Sequence, residues 1–212
     1  MFTRIIARRA ALAGVTAVAA LALGACGGSD HSTSGSGHDM PGMGGTGAPS
    51  AGASASFGDA DVMFAQMMIP HHRQAVRMAE LADTRAADPE VKKLAGQIKA
   101  AQAPEIATMT GWLAAWGRPA PSAGTGHGMP GMAHGMPGMM SDADMAKLEA
   151  ASGTDFDKQF LTMMIAHHEG AITMAKDEVA KGVNPDAKAM AQQIITAQQG
   201  EIDTMNKILA RL

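Results

Sequence analysis

From Asp59 the apolar positions of the chain fall into helical register. Phe64, Met67, His71, Ala75 and Met78 keep the three- and four-residue steps of one helix face, and Met68, His72 and Ala79 broaden it. A second line, Leu94, Ile98, Gln102, Glu105, Met109 and Leu113, has the same spacing but carries two polar residues in its stripe. Asp88-Pro89 precedes that line. An N-cap acceptor followed by proline marks a helix start, because proline lacks the N–H that would be unpaired there. Gly117, with Pro119 beyond it, marks the stop. The pattern predicts a helical hairpin.

The hairpin then recurs. Asp59, Asp61, Phe64, Met67, Met68, Ile69, His71, His72, Ala75, Met78 and Ala79 return 96 residues later as Asp155, Asp157, Phe160, Met163, Met164, Ile165, His167, His168, Ala171, Met174 and Ala175. The same offset carries Pro89, Gln102, Glu105, Met109 and Leu113 onto Pro185, Gln198, Glu201, Met205 and Leu209. A register kept without a gap over so many positions is an internal duplication. Two amphipathic hairpins bury their faces against each other. The expected fold is all-α, an antiparallel four-helix bundle with helices of about 25 residues. Pro70 removes one backbone hydrogen bond and predicts a kink beside His71. Pro104 and Gly200 break regularity at matching places, and Ser141 with Asp144 opens a short extra helix.

The N-terminus reads as a targeting segment. Arg4, Arg8 and Arg9 precede an apolar stretch, and Leu23-Gly24-Ala25-Cys26 resembles a bacterial lipobox. Residues 1–25 are read as a lipoprotein signal and 26–56 as a Gly/Ser-rich tether. Residues 57–117 form the first hairpin, 118–140 a Met/His/Gly/Pro-rich loop, and 141–212 the short helix and second hairpin. The expected location is extracytoplasmic, anchored by lipid on Cys26 to the outer face of the cell membrane. Cys26 is the single cysteine, so no intramolecular disulfide forms. The net charge of −3 becomes −6 once residues 1–25 are removed. No basic patch remains to bind nucleic acid.

The chain holds 19 methionines and no tyrosine. Methionine specifies a unique core poorly, so the excess points to chemistry. Three hexapeptides share the order His-x-Met-Pro-Gly-Met: His38, Met40, Met43; His127, Met129, Met132; and His134, Met136, Met139. In such linkers methionine has no packing role. Thioether sulfur is soft and uncharged, and it selects Cu(I), and by the same softness Ag(I), over hard ions. The second constellation lies in the helices: Met67, Met68, His71, His72 and Met78, repeated as Met163, Met164, His167, His168 and Met174. Gln102, Glu105, Gln198 and Glu201 on the facing helices are read as outer partners that orient the histidines. The competing account makes the methionines core filler and pairs His71 with Glu105 and His167 with Glu201.

The pattern Asp-x-x-Phe-x-x-x-Met-Ile-x-His-His-x-x-Ala-x-x-Met-Ala, met at Asp61–Ala79 and again at Asp157–Ala175, resembles family 305 of the domains of unknown function. The downstream Gln102, Glu105, Ile106, Met109 and Gln198, Glu201, Ile202, Met205 fit it as well. This resemblance implies a ferritin-like four-helix bundle and copper binding through Met and His, as in copper metallochaperones of the cell envelope. The leading expectation is therefore a copper buffer or chaperone that acts in copper tolerance and exchanges metal with a transfer partner. It is not read as an enzyme. The alternatives are a di-iron or di-manganese oxidoreductase using Glu105, Glu201, His71 and His167, and a metal-free structural bundle. No Glu-x-x-His motif supports the first of these.

Overall fold

A computed structural model of the chain describes residues 56–122 and 136–212. The signal segment, Cys26, the tether as far as residue 55 and the motif His38–Met43 lie outside the described residues, as do His127, Met129, Met132 and His134. The described part is built of helices α1 (Asp59–Arg85), α2 (Pro89–Ala115), α3 (Asp142–Ala150), α4 (Gly153–Lys181) and α5 (Pro185–Leu209). None of these helices is long and apolar enough to cross a membrane.

The start and stop signals act as their chemistry requires. Asp88 accepts from the backbone N–H groups of Glu90 at 2.8 Å and Val91 at 3.3 Å. Asn184 does the same for Asp186 and Ala187 at 3.1 and 3.0 Å. Ser141 caps α3 through the Asp144 N–H. Gly117 turns left-handed at φ 64°, which lets the Arg118 N–H reach the Leu113 carbonyl at 2.8 Å and closes α2. The long helices have 25 to 29 residues. α1 and α2 continue through Pro70 and Pro104, and α5 through Gly200, so none of the three ends a helix.

α1 packs on α2 and α4 packs on α5, and the two hairpins meet through α1 and α4 while α2 and α5 touch little. α1 and α4 run antiparallel, which produces two apolar cores. One joins Met78 and Ala82 of α1, Leu94 and Ile98 of α2, Phe156, Phe160 and Met164 of α4, and Met205 and Ile208 of α5. The other joins Phe64, Met68 and Ile69 of α1, Met109 and Leu113 of α2, Met174 and Ala175 of α4, and Ile194 of α5. Each fully buried Phe, Leu, Ile or Met contributes about 1.5–3 kcal/mol relative to exposure. These cores supply the cohesion of the hairpins.

Two buried aspartates tie each hairpin to the other. Asp61 of α1 accepts from the backbone N–H groups of Val183 and Asn184 at 3.1 and 2.9 Å, in the α4–α5 connection. Its repeat counterpart Asp157 accepts from Ala87 and Asp88 at 3.1 and 2.9 Å, in the α1–α2 connection. Hydrogen bonds to an ionised carboxylate are shorter and stronger than neutral ones.

Candidate metal centre

The two apolar cores are separated by a polar layer at mid-helix. Because α1 and α4 are antiparallel, repeat-equivalent residues at their midpoints face each other. The rings of His71 and His167 meet with centroids 3.7 Å apart and planes inclined by 37°. His71, His72, His167 and His168 are all 0–1 % exposed.

The glutamates select the second histidine of each pair. His72 Nε2–H donates to Glu105 Oε2 at 2.7 Å, and His168 Nε2–H donates to Glu201 Oε2 at 2.6 Å. The pairing of Glu105 with His71 and Glu201 with His167 that the sequence suggested is therefore corrected by one residue. Successive helical residues point about 100° apart. His71 consequently faces α4, whereas His72 faces α2.

His71 Nε2–H donates to the Pro137 carbonyl at 3.0 Å. That bond fixes its tautomer and leaves the lone pair on Nδ1, which is buried without a protein partner. His167 has neither ring nitrogen partnered, and Nδ1 of His72 and of His168 is likewise free. Burial pushes the His71 imidazole down to about 3, reinforced by neighbouring His72 and His168 and opposed by the Pro137 bond. Burial, with His71, His168 and His72 nearby, also holds His167 well below the ordinary histidine value. Both rings are neutral near pH 7, which is the ligating form of imidazole. One turn from Glu105, both amide atoms of Gln102 are buried without a partner, as is Gln198 Oε1. Each unsatisfied buried group costs about 1–3 kcal/mol. These groups gather at one level of the bundle, between the two apolar cores.

The remaining sequence candidates separate into two groups. Met68, Met164, Met78 and Met174 are buried in the cores, with Met68 and Met174 in one and Met78 and Met164 in the other. They do not converge on one cluster. Met67 and Met163 are half-buried, one helical turn from His71 and His167. Among the described residues no three His, Cys, Asp or Glu side chains converge as a metal-holding group. The quartet Glu105, Glu201, His71 and His167 that a hard-ion site requires is thus not assembled. Trp112 and Trp116 stack on each other at 5.9 Å, and Phe57 stacks on Trp116 at 5.0 Å, a packing role at the end of α2.

The described part of the third linker motif, residues 136–139, is docked rather than exposed. Met136, Gly138, Met139 and Met140 are half-buried. Gln74 clamps the Met140 backbone: its Nε2–H donates to the carbonyl at 2.9 Å, and its Oε1 accepts the N–H at 2.8 Å. The expectation that linker methionines have no packing role fails here, since Met140 also packs against the first core. Residues 119–122 lie on the same helix, where Gln66 and Arg73 donate to the carbonyls of Pro119 and Pro121 at 2.9 and 3.0 Å.

Asp61 and Asp157 were read from the sequence only as matched positions of the repeat, and Gln74 and Glu178 were not singled out. Glu178 is 2 % exposed, and its carboxyl lies beside that of Asp61, to which it donates when protonated. Burial, together with the adjoining Asp61 carboxylate, pushes its carboxyl up to about 8. Its signal was a mismatch between repeats, because the first repeat has Ala82 at that position.

Fold and layer together define a class: an all-α protein made of a duplicated helical hairpin, with paired histidines between two apolar cores. The family described as "Domain of unknown function (DUF305)" matches residues 61–209, and the chain belongs to it. A DUF305 protein from Streptomyces coelicolor, named as secreted, superposes with a TM-score of 0.64 at 37 % identity, covering 72 % of this chain and 93 % of that one. CopM in its Cu(I)-bound form gives 0.59 at 32 % identity, with 71 % and 96 % covered, and it has also been solved with Cu(II) and with Ag. The uncharacterized protein L153 of Acanthamoeba polyphaga mimivirus is 51 % identical over 53 residues, 25 % of this chain. That match spans about a third of the relative's length (35 %).

Proposed function

We propose that this chain binds Cu(I), and Ag(I) by the same softness, as an extracytoplasmic metal buffer or metallochaperone rather than an enzyme. The observation that carries the reading is the buried His71–His167 pair, in ring contact, neutral, with His71 Nδ1 and both His167 nitrogens unpartnered. Neutral imidazole with a thioether one helical turn away, Met67 on the side of one core or Met163 on the side of the other, suits a soft monovalent ion. Glu105 and Glu201 orient His72 and His168, the kind of outer partner that metal-site histidines use. The linker motifs at His38–Met43, His127–Met132 and His134–Met139 add thioether-rich donors. The copper- and silver-bound forms of CopM support this reading. A transfer partner would receive the metal.

Anaerobic Cu(I) titration of the full chain against a competing chelator tests the proposal. Wild type is expected to take copper from the chelator. Deleting 123–135, which removes one complete motif but leaves the docked segment, should lower the stoichiometry. A chain that fails to compete would overturn the proposal. Export, supported by the Streptomyces relative named as secreted, and lipidation at Cys26, read from the lipobox-like segment, are part of the same proposal. Cys26→Ser should release the folded protein from membranes, and continued sedimentation with them would refute the anchor.

A further inference from the structure

We propose that residues Met136–Met140 form a strap that controls access to the His71–His167 pair. The segment bridges α1 and α4 at the level of the ring contact. On α1 it is held by His71, which donates to the Pro137 carbonyl at 3.0 Å, and by the two-way clamp of Gln74 on Met140. On α4 the turn sits directly on the helix backbone. Gly138 has φ 75°, a conformation that favours glycine, and a Cβ there would come within 2.9 Å of the His167 carbonyl. A Cβ on Gly170 would collide with the Pro137 carbonyl, so glycine at 170 is what lets the strap seat.

The duplication shows that this seat is specific. Gly170 stands 96 residues after Gln74, the residue that clamps the strap from α1. The helices themselves do not demand this difference, since a mid-helix glycine is less favourable than glutamine. What the difference serves is the strap: glutamine on one side grips its backbone, and glycine on the other makes room for it. A turn placed on the opposite face would meet Gln74 where the seat needs glycine, so the device is built for one face. Local closed states held by a few hydrogen bonds over a small contact open far more readily than the whole fold. The strap is therefore the part of the wall beside the histidines that can move while the cores stay intact.

The inference rests on the copper reading for its purpose but not for its test. Gly170→Gln installs the residue already present at the equivalent place in α1, so α4 should form normally while the seat is filled. Gln74→Ala releases the clamp without touching α4. Circular dichroism checks the fold of each full-length variant. Hydrogen exchange of the Met140 amide reports the strap, and diethyl pyrocarbonate modification of His71 and His167, read by mass spectrometry, reports access without any metal. Both variants should exchange Met140 and modify the two histidines about tenfold faster, the factor expected when one or two net hydrogen bonds of a local closed state are lost. A freed Met140 amide with unaltered histidine modification overturns the strap as the barrier. Transfer of Cu(I) from a coloured chelate should accelerate in parallel. Faster modification with unaltered copper transfer would keep the strap as a cover and overturn the copper reading of the pair.

Discussion

Replacing His71 and His167 together with leucine, and separately His72 and His168, distinguishes the two histidine pairs by energy as well as by metal binding. The first change removes three ring nitrogens that are buried without partners. It also removes the His71 bond to the Pro137 carbonyl, which is seated against Gly170 of α4, so part of the gain is offset. An unsatisfied buried group costs about 1–3 kcal/mol and a neutral hydrogen bond contributes about 0.5–1.5 kcal/mol. Leucine of similar size should therefore leave stability unchanged or raise it by about 1–3 kcal/mol. The second change takes the donors from Glu105 and Glu201, whose side chains are 23 % and 19 % exposed. Partial rehydration softens the loss, but about 1–2 kcal/mol per glutamate is still expected.

The two double variants should thus differ by about 2–7 kcal/mol, or roughly 4 °C or more in melting temperature for a domain of this size. Chemical and thermal denaturation without metal measure this difference. Chelator competition then asks which pair binds: His71→Leu/His167→Leu should abolish the bundle site, whereas His72→Leu/His168→Leu should weaken it. Equal destabilisation by both doubles would refute the division into a free pair and a glutamate-bound pair. Wild-type copper affinity in the first would end the claim that the facing histidines are ligands.

Three further outcomes follow from buried charge. His71 and His167 have depressed folded values, so the native state binds fewer protons than the unfolded chain. Stability should be full above about pH 6.5 and fall below it by up to about 1.4 kcal/mol per pH unit per histidine, continuing toward pH 3, a slope the double leucine variant should lack. Glu178 has the opposite sense for an acid: between about pH 4.5 and 8 the native carboxyl keeps a proton the unfolded one has lost, so its contribution declines as pH rises. Glu178→Gln should gain about 1–2 kcal/mol over wild type at pH 9 and almost nothing at pH 4, and equal gains at both would refute the assignment. Asp157→Ala strips its bonds to the Ala87 and Asp88 amides and should cost about 2–4 kcal/mol by urea denaturation, with a loss below about 0.5 kcal/mol counting against the cross-hairpin tie.

The legible parts of this fold were those written locally. The caps Asp88, Asn184 and Ser141, the stop at Gly117 and the apolar stripes depend on neighbours within a turn or two, and the 96-residue offset identified the second hairpin from the first. What escaped was decided across the interface. Asp61 reaches amides 122 and 123 residues away, and Asp157 reaches amides about 70 residues earlier. No local periodicity announces such a tie, although a carboxylate kept at the same place in both repeats was a hint. The choice of His72 over His71 by Glu105 turns on 100° of helix rotation, which a stripe wide enough to include both residues does not resolve. The docked strap escaped because composition reads a Gly/Pro segment as linker, whereas Gly138 and Gly170 are there to let two backbones touch.

Duplication also explains why a pair of imidazoles exists at all. Antiparallel packing of α1 and α4 at their midpoints brings each mid-helix residue onto its own repeat copy, so one histidine in an ancestral hairpin becomes two facing ones. As ligands the copies should be equivalent, but as structural elements they are not, because His71 holds the strap and His167 makes no hydrogen bond to it. Single substitutions separate the two roles. His71→Leu and His167→Leu should each weaken Cu(I) binding by a similar factor, since either removes one imidazole of the pair. His71→Leu alone should also speed exchange of the Met140 amide by roughly two- to tenfold, the equivalent of one net hydrogen bond. His167→Leu should leave that amide at the wild-type rate. Exchange measured in both variants without metal is decisive: equal rates would mean that the His71–Pro137 bond does not help to hold the strap, and the copies would then be equivalent in structure as well as in chemistry.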